Sequence, residues 1–266
     1  LLHTPPFEHP ESPDRLIAID EHLRRNGLMA TLVPVAPGEP SEDDVARVHD
    51  PEYLRRLELA CRRGDLTLES EDTYLNKNSY GIALLAAAGA VAGAEAVVTG
   101  KVDRAFCAVR PPGHHAARAE GMGFCLLNNT AVAARCLQAR HGVSRILIVD
   151  WDVHHGNGTQ SIFLTDPTVF FFSIHENPTF LYPGTGRRWE IGKGAGEGYT
   201  LNAPMAPGSG DAEYRLAFEQ MLGPAMERFR PQFIIVSAGF DAHRDDPLAD
   251  IQLTEEGFGF MTRFVA

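Results

Sequence analysis

The feature that most constrains the fold is a set of short apolar runs, rich in β-branched and aromatic residues, that alternate with longer helical patterns. The apolar runs are Arg104–Val109, Arg145–Val149, Val169–Ile174 and Phe233–Ser237. Nearly continuous runs of this kind are typical of parallel strands covered on both faces. The helical patterns cover Ser79–Val98, Asn129–Arg140, Thr159–Leu164 and Ala212–Phe229. This alternation predicts an α/β fold, with an open, mostly parallel sheet and helices on both faces.

Length and composition narrow the organisation and the partners. A chain of 266 residues that is 44% hydrophobic can build a full core, so we predict one domain over residues 1–266. The formal charge of -11 argues against a nucleic-acid partner, because such proteins need a basic face. The segment Ser79–Val98 comes nearest to a membrane span, but Ala and Gly dominate it and Glu95 interrupts it. We therefore predict a buried helix there and no membrane partner.

The cysteines give a compartment but no metal site. None of the four forms a C-x-x-C pair, which argues against a cysteine zinc site; they are Cys61, Cys107, Cys125 and Cys136. Buried free thiols in a reducing compartment are the simplest interpretation, so we expect a cytoplasmic protein.

Histidines and carboxylates cluster directly after three of the predicted strands. The clusters occupy residues 110–115, 150–158 and 238–246. In open α/β sheets, ligands bind at the carboxyl ends of the strands. We therefore expect the three clusters to meet at one edge of the sheet.

One of these clusters has the pattern of a metal site. Asp152 and His154 are separated by a single residue at a strand end, so their side chains share a face if the chain is extended there. An oxygen ligand from Asp241 would complete a set of three ligands and leave a position open, as in catalytic sites. Nitrogen and oxygen ligands suit zinc but also accept iron(II) or cobalt. The alternative is that these aspartates only cap helices or bind backbone amides.

The adjacent pair His114 and His115 follows a Pro-Pro-Gly turn that fixes the backbone and exposes what comes next. Imidazoles carry protons near neutral pH, so one histidine could take a proton from the attacking water and return it to the leaving amine. Asp150 and Asn157 are the polar candidates for orienting them. Taken alone, a His-His pair is more often ordinary surface or core.

Several stretches, taken together, closely resemble the histone deacetylase family, which includes acetylpolyamine amidohydrolases and bacterial histone-deacetylase-like amidohydrolases. The stretches are Arg110–Ala116, Gly123–Cys125, Asp150–Gln160, Tyr182–Gly186 and Ser237–Ala242, with His9–Arg15 before them. They run in order through almost the whole chain. Asn157, where class I has aspartate, makes the chain more similar to the class II branch and its bacterial relatives.

The resemblance implies an arginase/deacetylase-type fold and a zinc-dependent deacetylase. It implies zinc ligands at Asp152, His154 and Asp241. His115 would be the general base and then the acid, supported by Asn157. His114 would be its electrostatic partner, oriented by Asp150. A structural potassium ion is also implied, with ligands from Asp150, Asp152, His154 and Ser173.

The resemblance also implies a narrow tunnel for an alkyl amide. Phe124 and Tyr182 would line the tunnel, and Gly123 would contact the substrate. Asp72 would hold the substrate backbone at the rim, although a helix-start role fits this residue almost as well. Acetyl-lysine peptides, acetylpolyamines and other small acetylated amines all remain candidate substrates, and a homo-oligomer is an open alternative.

The sequence departs from the family pattern at its end. The family uses a tyrosine in a late Gly-rich turn to stabilise the oxyanion. This chain stops at Ala266, inside a helix that begins near Thr254, and contains no Gly-Gly-Tyr. We therefore expect a chain truncated at both ends.

Two competing functions stay open at this point. An arginase-like ureohydrolase would need a second set of bridging aspartates, and Asp241 is one residue only. A binding module for acyl amines, without turnover, would fit the missing tyrosine, but the intact histidine pair and metal ligands argue against it.

Overall fold

The computed structural model describes residues 1–6, 8–39 and 41–266 and consists of two compact units, residues 1–142 and 143–266. The organisation as a single domain stays a prediction. The named elements of the first unit are helices: α1 Asp14–Arg25, a 3-10 helix Leu28–Thr31, α2 Glu42–Val45, α3 Pro51–Arg63, α4 Ser79–Val98 and α5 Asn129–His141.

Local sequence explains where two of these helices start and stop. The side chain of Asp50 accepts the N–H of Glu52 to begin α3, and the left-handed Gly64 ends it. The side chain of Asn128 accepts the N–H of Ala131 to begin α5. The left-handed Gly142 ends α5.

Helix α4 has the predicted bounds and packs against α3 and α5. By length and hydropathy it could cross a membrane, a test that the core helices of other proteins also pass. In its most apolar window 39% of the residues are buried.

The strand predicted at Arg104–Val109 is wrong. The segment has no regular structure and most of it is exposed, including Cys107, which we had expected to be buried. It packs along α4, where Gly93 leaves room for the thiol of Cys107. An apolar run becomes a strand only beside a partner, and the described residues offer none to this segment.

The second unit contains the sheet. Its elements are β1 Ile146–Asp150, α6 Asn157–Phe163, β2 Val169–Glu176, a 3-10 helix Gly194–Gly196, β3 Thr200–Met205, α7 Asp211–Ala217, a π-helix Phe218–Leu222, α8 Gly223–Phe229, β4 Phe233–Ser237 and α9 Glu255–Val265. The order across the sheet is β3-β2-β1-β4, and every pair is parallel. The alternating pattern therefore gave the correct class of sheet.

The sheet register places one polar residue from each strand in a single row. Asp150 pairs with Ser173 on one side and with Ser237 on the other, and Ser173 pairs with Asn202. β1 and β2 are buried along their whole length, as predicted. β4 is only half-buried because, among the described strands, it has a neighbour on one side only.

Two differences from the sequence prediction have local causes. β3 was missed because Asn202 and Pro204 interrupt its apolar pattern, and proline is tolerated at such an edge. The helix predicted at Ala212–Phe229 is divided by the π-helix just before Pro224. Proline has no N–H to continue the α-helical hydrogen bonds.

One face of the sheet packs on α7, α8 and α9. Alternate residues of β1 and β2, such as Val149 and Phe172, contact the same core cluster as Phe218 and Met261. This packing fixes the strands, and with them the loops at their carboxyl ends.

Candidate metal centre and catalytic residues

Three side chains after β1 and β4 come together as predicted. The ligand atoms of Asp152, His154 and Asp241 all lie within 4.8 Å of one another. Nδ1 of His154 is 3.1 Å from Oδ1 of Asp152 and 2.9 Å from Oδ2 of Asp241. Backbone groups hold the carboxylates: the N–H of His154 donates to Asp152 at 2.8 Å, and that of Val153 donates to Asp241 at 2.9 Å.

The electrostatics of this cluster favour a cation. Burial alone would lower the pKa of His154, but its hydrogen bonds to Asp152 and Asp241, and their charges, raise it to about 10. Burial and the charge of Asp152 raise the pKa of Asp241 to about 6. The imidazolium thus occupies the place where two carboxylates would accept a metal ion. The three side chains are 16–18% exposed, so solvent and substrate can reach them.

Asp150 and Ser173 occupy the polar row beneath this cluster, and both are fully buried. Oδ1 of Asp150 accepts the N–H of Asp152 at 3.2 Å. The hydroxyl of Ser173 is hydrogen-bonded to Nδ1 of His175 at 2.8 Å. Asn157 begins α6, and its backbone N–H donates to the carbonyl of His155 at 2.8 Å.

Tyr182 lies beside the metal-ligand cluster. Its ring centroid is 6.4 Å from that of His154, and the tyrosine is 43% exposed. The side chain therefore combines an open face with a position next to the ligands.

A buried polar network in the same unit was missed by the sequence analysis. His155 is hydrogen-bonded to Thr185 at 2.8 Å and to Gln160 at 2.9 Å. Gln160 in turn contacts Glu190 at 2.7 Å and Asn202 at 2.7 Å. Burial would raise the pKa of Glu190, but bonds from backbone N–H groups and from Gln160 lower it. The only sequence signal was the long Gly-rich loop that contains Thr185 and Glu190.

In the first unit, His114 and His115 are buried and their ring centroids are 4.0 Å apart. The side chain of Asn129 donates to the carbonyl of Pro111 at 3.1 Å and so clamps the turn before them. Gly123 lies against the ring of His115 and leaves no room for a side chain. The predicted Pro-Pro-Gly turn thus holds both histidines in fixed positions.

Asp72 lies in a turn rather than at a helix start, which corrects that reading. Its Oδ1 accepts hydrogen bonds from the hydroxyls of Ser70 and Thr73. The hydroxyl of Thr73 also accepts the N–H of Phe124 at 3.1 Å. Thr73, which the sequence did not single out, therefore links the two predicted substrate residues Asp72 and Phe124.

A second residue set that the sequence analysis missed is a buried ion pair at the start of the histidine motif. The guanidinium of Arg110 contacts both carboxylate oxygens of Glu11, at 2.6 and 2.7 Å. It also donates to the hydroxyl of Tyr74 and the carbonyl of His3. The stretch that begins at His9 is thereby tied to the histidine motif.

Comparison with known proteins identifies the family. The model of the histone deacetylase domain matches residues 9–266. The chain belongs to the histone deacetylase family. Among its histone deacetylase relatives, the probable deacetylase of Archaeoglobus fulgidus is 43% identical over 99% of this chain and 72% of its own length. The histone deacetylase-like amidohydrolase of Pseudomonas aeruginosa is 42% identical over 97% of this chain and 67% of its own length.

A solved structure shows that the histone deacetylase fold is present. The crystal structure of the HDA15 HD domain is similar to this chain with a TM-score of 0.95 and 41% identity, over 100% of this chain and 78% of that one. The predicted family and α/β fold are confirmed. Within the described parts of this histone deacetylase family member, one cluster of three metal-ligand side chains occurs, whereas the arginase-like alternative needs ligands for two ions.

Proposed function

We propose that this chain hydrolyses the acetyl amide of acetyl-lysine or of small acetylated amines such as acetylpolyamines, releasing acetate and an amine. The observation that carries the proposal is the convergence of Asp152, His154 and Asp241 on one point, in a member of a family whose relatives are named deacetylases. Three ligands that are partly exposed leave room for a substrate carbonyl, which a purely structural site would not.

The donor set fits one divalent ion. One nitrogen and two carboxylate ligands suit zinc and also accept iron(II) or cobalt. When bound, such an ion would polarise the amide carbonyl as a Lewis acid and make water more acidic. A potassium ion held by Asp150, Asp152, His154 and Ser173 is part of the proposal, supported by the buried polar row at Asp150 and Ser173.

In this proposal His115 takes the proton from the attacking water and delivers it to the leaving amine. Burial and the contact with Gly123 restrict its ring, which supports a role that depends on orientation. His114, Asp150 and Asn157 support it electrostatically and by position. Phe124, Gly123 and Tyr182 contact the alkyl chain, and Asp72 binds the substrate backbone.

The test is acetate release by the metal-loaded chain from an acetyl-lysine peptide and from acetylputrescine. Release from either substrate supports the amidohydrolase, and the ratio of the two rates ranks the substrate classes. Uptake of the acetylated peptide by the metal-bound chain, without release of acetate, would instead support the binding module. Binding of two metal ions with urea formation from a guanidino substrate would support the ureohydrolase.

A further inference from the structure

Glu190 points inward from a loop whose neighbouring residues point outward. Trp189, next to it, is 73% exposed, whereas the carboxylate of Glu190 reaches into the buried network of Gln160 and Asn202. We propose that Glu190 is a positioning residue that fixes the turn after Tyr182, and that it thereby sets the affinity of the site for its substrate. The kinetic part of this inference rests on the proposed function.

The carboxylate holds the turn through its backbone. Oε1 of Glu190 accepts the N–H of Gly186 at 3.0 Å and that of Arg187 at 2.9 Å. On the other side of the turn, Nε2 of His175 is 2.9 Å from the carbonyl of Gly186. Gly186 is buried against His155 and His175, with no room for a side chain. The turn is therefore gripped from both sides.

The hydrogen bonds of the network can run in one direction only. A carboxylate accepts, so the amide nitrogen of Gln160 must face Glu190, at 2.7 Å. Oε1 of Gln160 then accepts from Asn202 at 2.7 Å and from Nε2 of His155 at 2.9 Å. His155 binds Thr185 through its other nitrogen. The chain from Glu190 to Thr185 thus needs a carboxylate at one end and an amide next to it.

This polarity predicts a specific kinetic signature. A wall residue such as Tyr182 contacts the substrate equally in the ground state and the transition state, so moving it raises KM and leaves kcat nearly unchanged. A variant that simply unfolds would lower kcat and leave KM alone, because fewer sites are active. Loss of one hydrogen bond to a charged group should raise KM about tenfold.

The decisive variants exchange the amide and the carboxylate. Glu190→Gln places a donor against either Gln160 or the two backbone N–H groups, so KM should rise about tenfold with kcat within about twofold. The double variant Gln160→Glu/Glu190→Gln restores every donor–acceptor pair and should restore KM. Glu197→Gln is the matched control, since Glu197 lies exposed in the same loop and should behave as the parent.

The kinetic assay is steady-state acetate release from the acetyl-lysine peptide. A second measurement, independent of activity, is the rate of tryptic cleavage at Arg187 and Arg188 in the folded protein. Cleavage should be faster in Glu190→Gln than in the parent and slow again in the double variant. Equal cleavage rates in the parent and Glu190→Gln, or a double variant no better than the single one, would overturn the proposal. If the parent releases no acetate, the proposed function fails, while cleavage still decides the role of Glu190.

Discussion

Gly239 lies directly against the carboxylate of Asp152, so closely that no side chain fits at position 239. Gly239 follows β4, and Asp152 follows β1, so the contact joins the two strand ends that carry the metal ligands. We predict that Gly239→Ala displaces the carboxylate and weakens zinc binding by about 10- to 100-fold, as changes next to metal ligands typically do. Competition with a chromophoric chelator measures this affinity.

The matched control is Gly81→Ala, because Gly81 has no neighbouring atom within 4 Å of the added methyl group. That variant should bind zinc as the parent does. Zinc affinity unchanged in Gly239→Ala would show that Asp152 is not a ligand.

Removing a ligand should be more severe than displacing one. Asp241→Ala should lose both the metal and acetate release, because it removes one of three ligands and leaves the fold around them largely intact. Metal content by elemental analysis and the circular dichroism spectrum are the measurements. Asp245→Ala, an exposed carboxylate nearby, is the control. Full activity with normal zinc content in Asp241→Ala would exclude this metal site.

The histidine pair should affect turnover and not metal binding. His115→Ala should keep its zinc and lose about 10²–10⁴ in kcat, the usual contribution of a general acid–base group. His22→Ala, an exposed histidine on α1, should behave as the parent. A His115→Ala variant as fast as the parent would place the general base elsewhere.

The buried pair of Glu11 and Arg110 should dominate the stability of the first unit. Glu11→Ala leaves the guanidinium buried without its carboxylate, which should reduce the free energy of unfolding by about 3–5 kcal/mol. Urea denaturation followed by circular dichroism measures this change. Glu21→Ala on the exposed face of α1 should change stability little, and equal midpoints for the two variants would contradict the prediction.

His49 makes stability depend on pH. Its Nε2 accepts the N–H of Asn128 at 2.9 Å, and burial lowers its pKa from 6.5 to about 4. Below pH 6.5 the unfolded chain binds a proton that the folded chain does not, so stability falls as the pH falls toward 4. Between pH 7 and pH 5 the loss should be about 2 kcal/mol.

Urea denaturation at the two pH values measures the contribution of His49. His49→Gln keeps an acceptor for Asn128 and does not titrate, so its stability should fall less over the same range. An identical pH dependence in the variant and the parent would rule out His49 as the cause.

The sequence predicted what local patterns can specify. Asp152 and Asp241 were recognisable because polar residues directly follow apolar runs, and parallel strands bring such positions to one edge. The pairs Glu11–Arg110 and Gln160–Glu190 are far apart in the chain, and no local pattern marks them as partners. The segment Arg104–Val109 was misjudged because an apolar run beside a helix and a paired strand have the same composition.

The polar row of Asn202, Ser173, Asp150 and Ser237 separates parts of the chain that differ in their tolerance of insertions. Before the row, one added residue in β1 would turn every following side chain of that strand to the opposite face. Beyond the row, doubling the length of a loop costs only about 0.6 kcal/mol in closure entropy. Loop grafting at positions after Ser237 or around Tyr182 is therefore a practical route to new substrate selectivity on an unchanged scaffold.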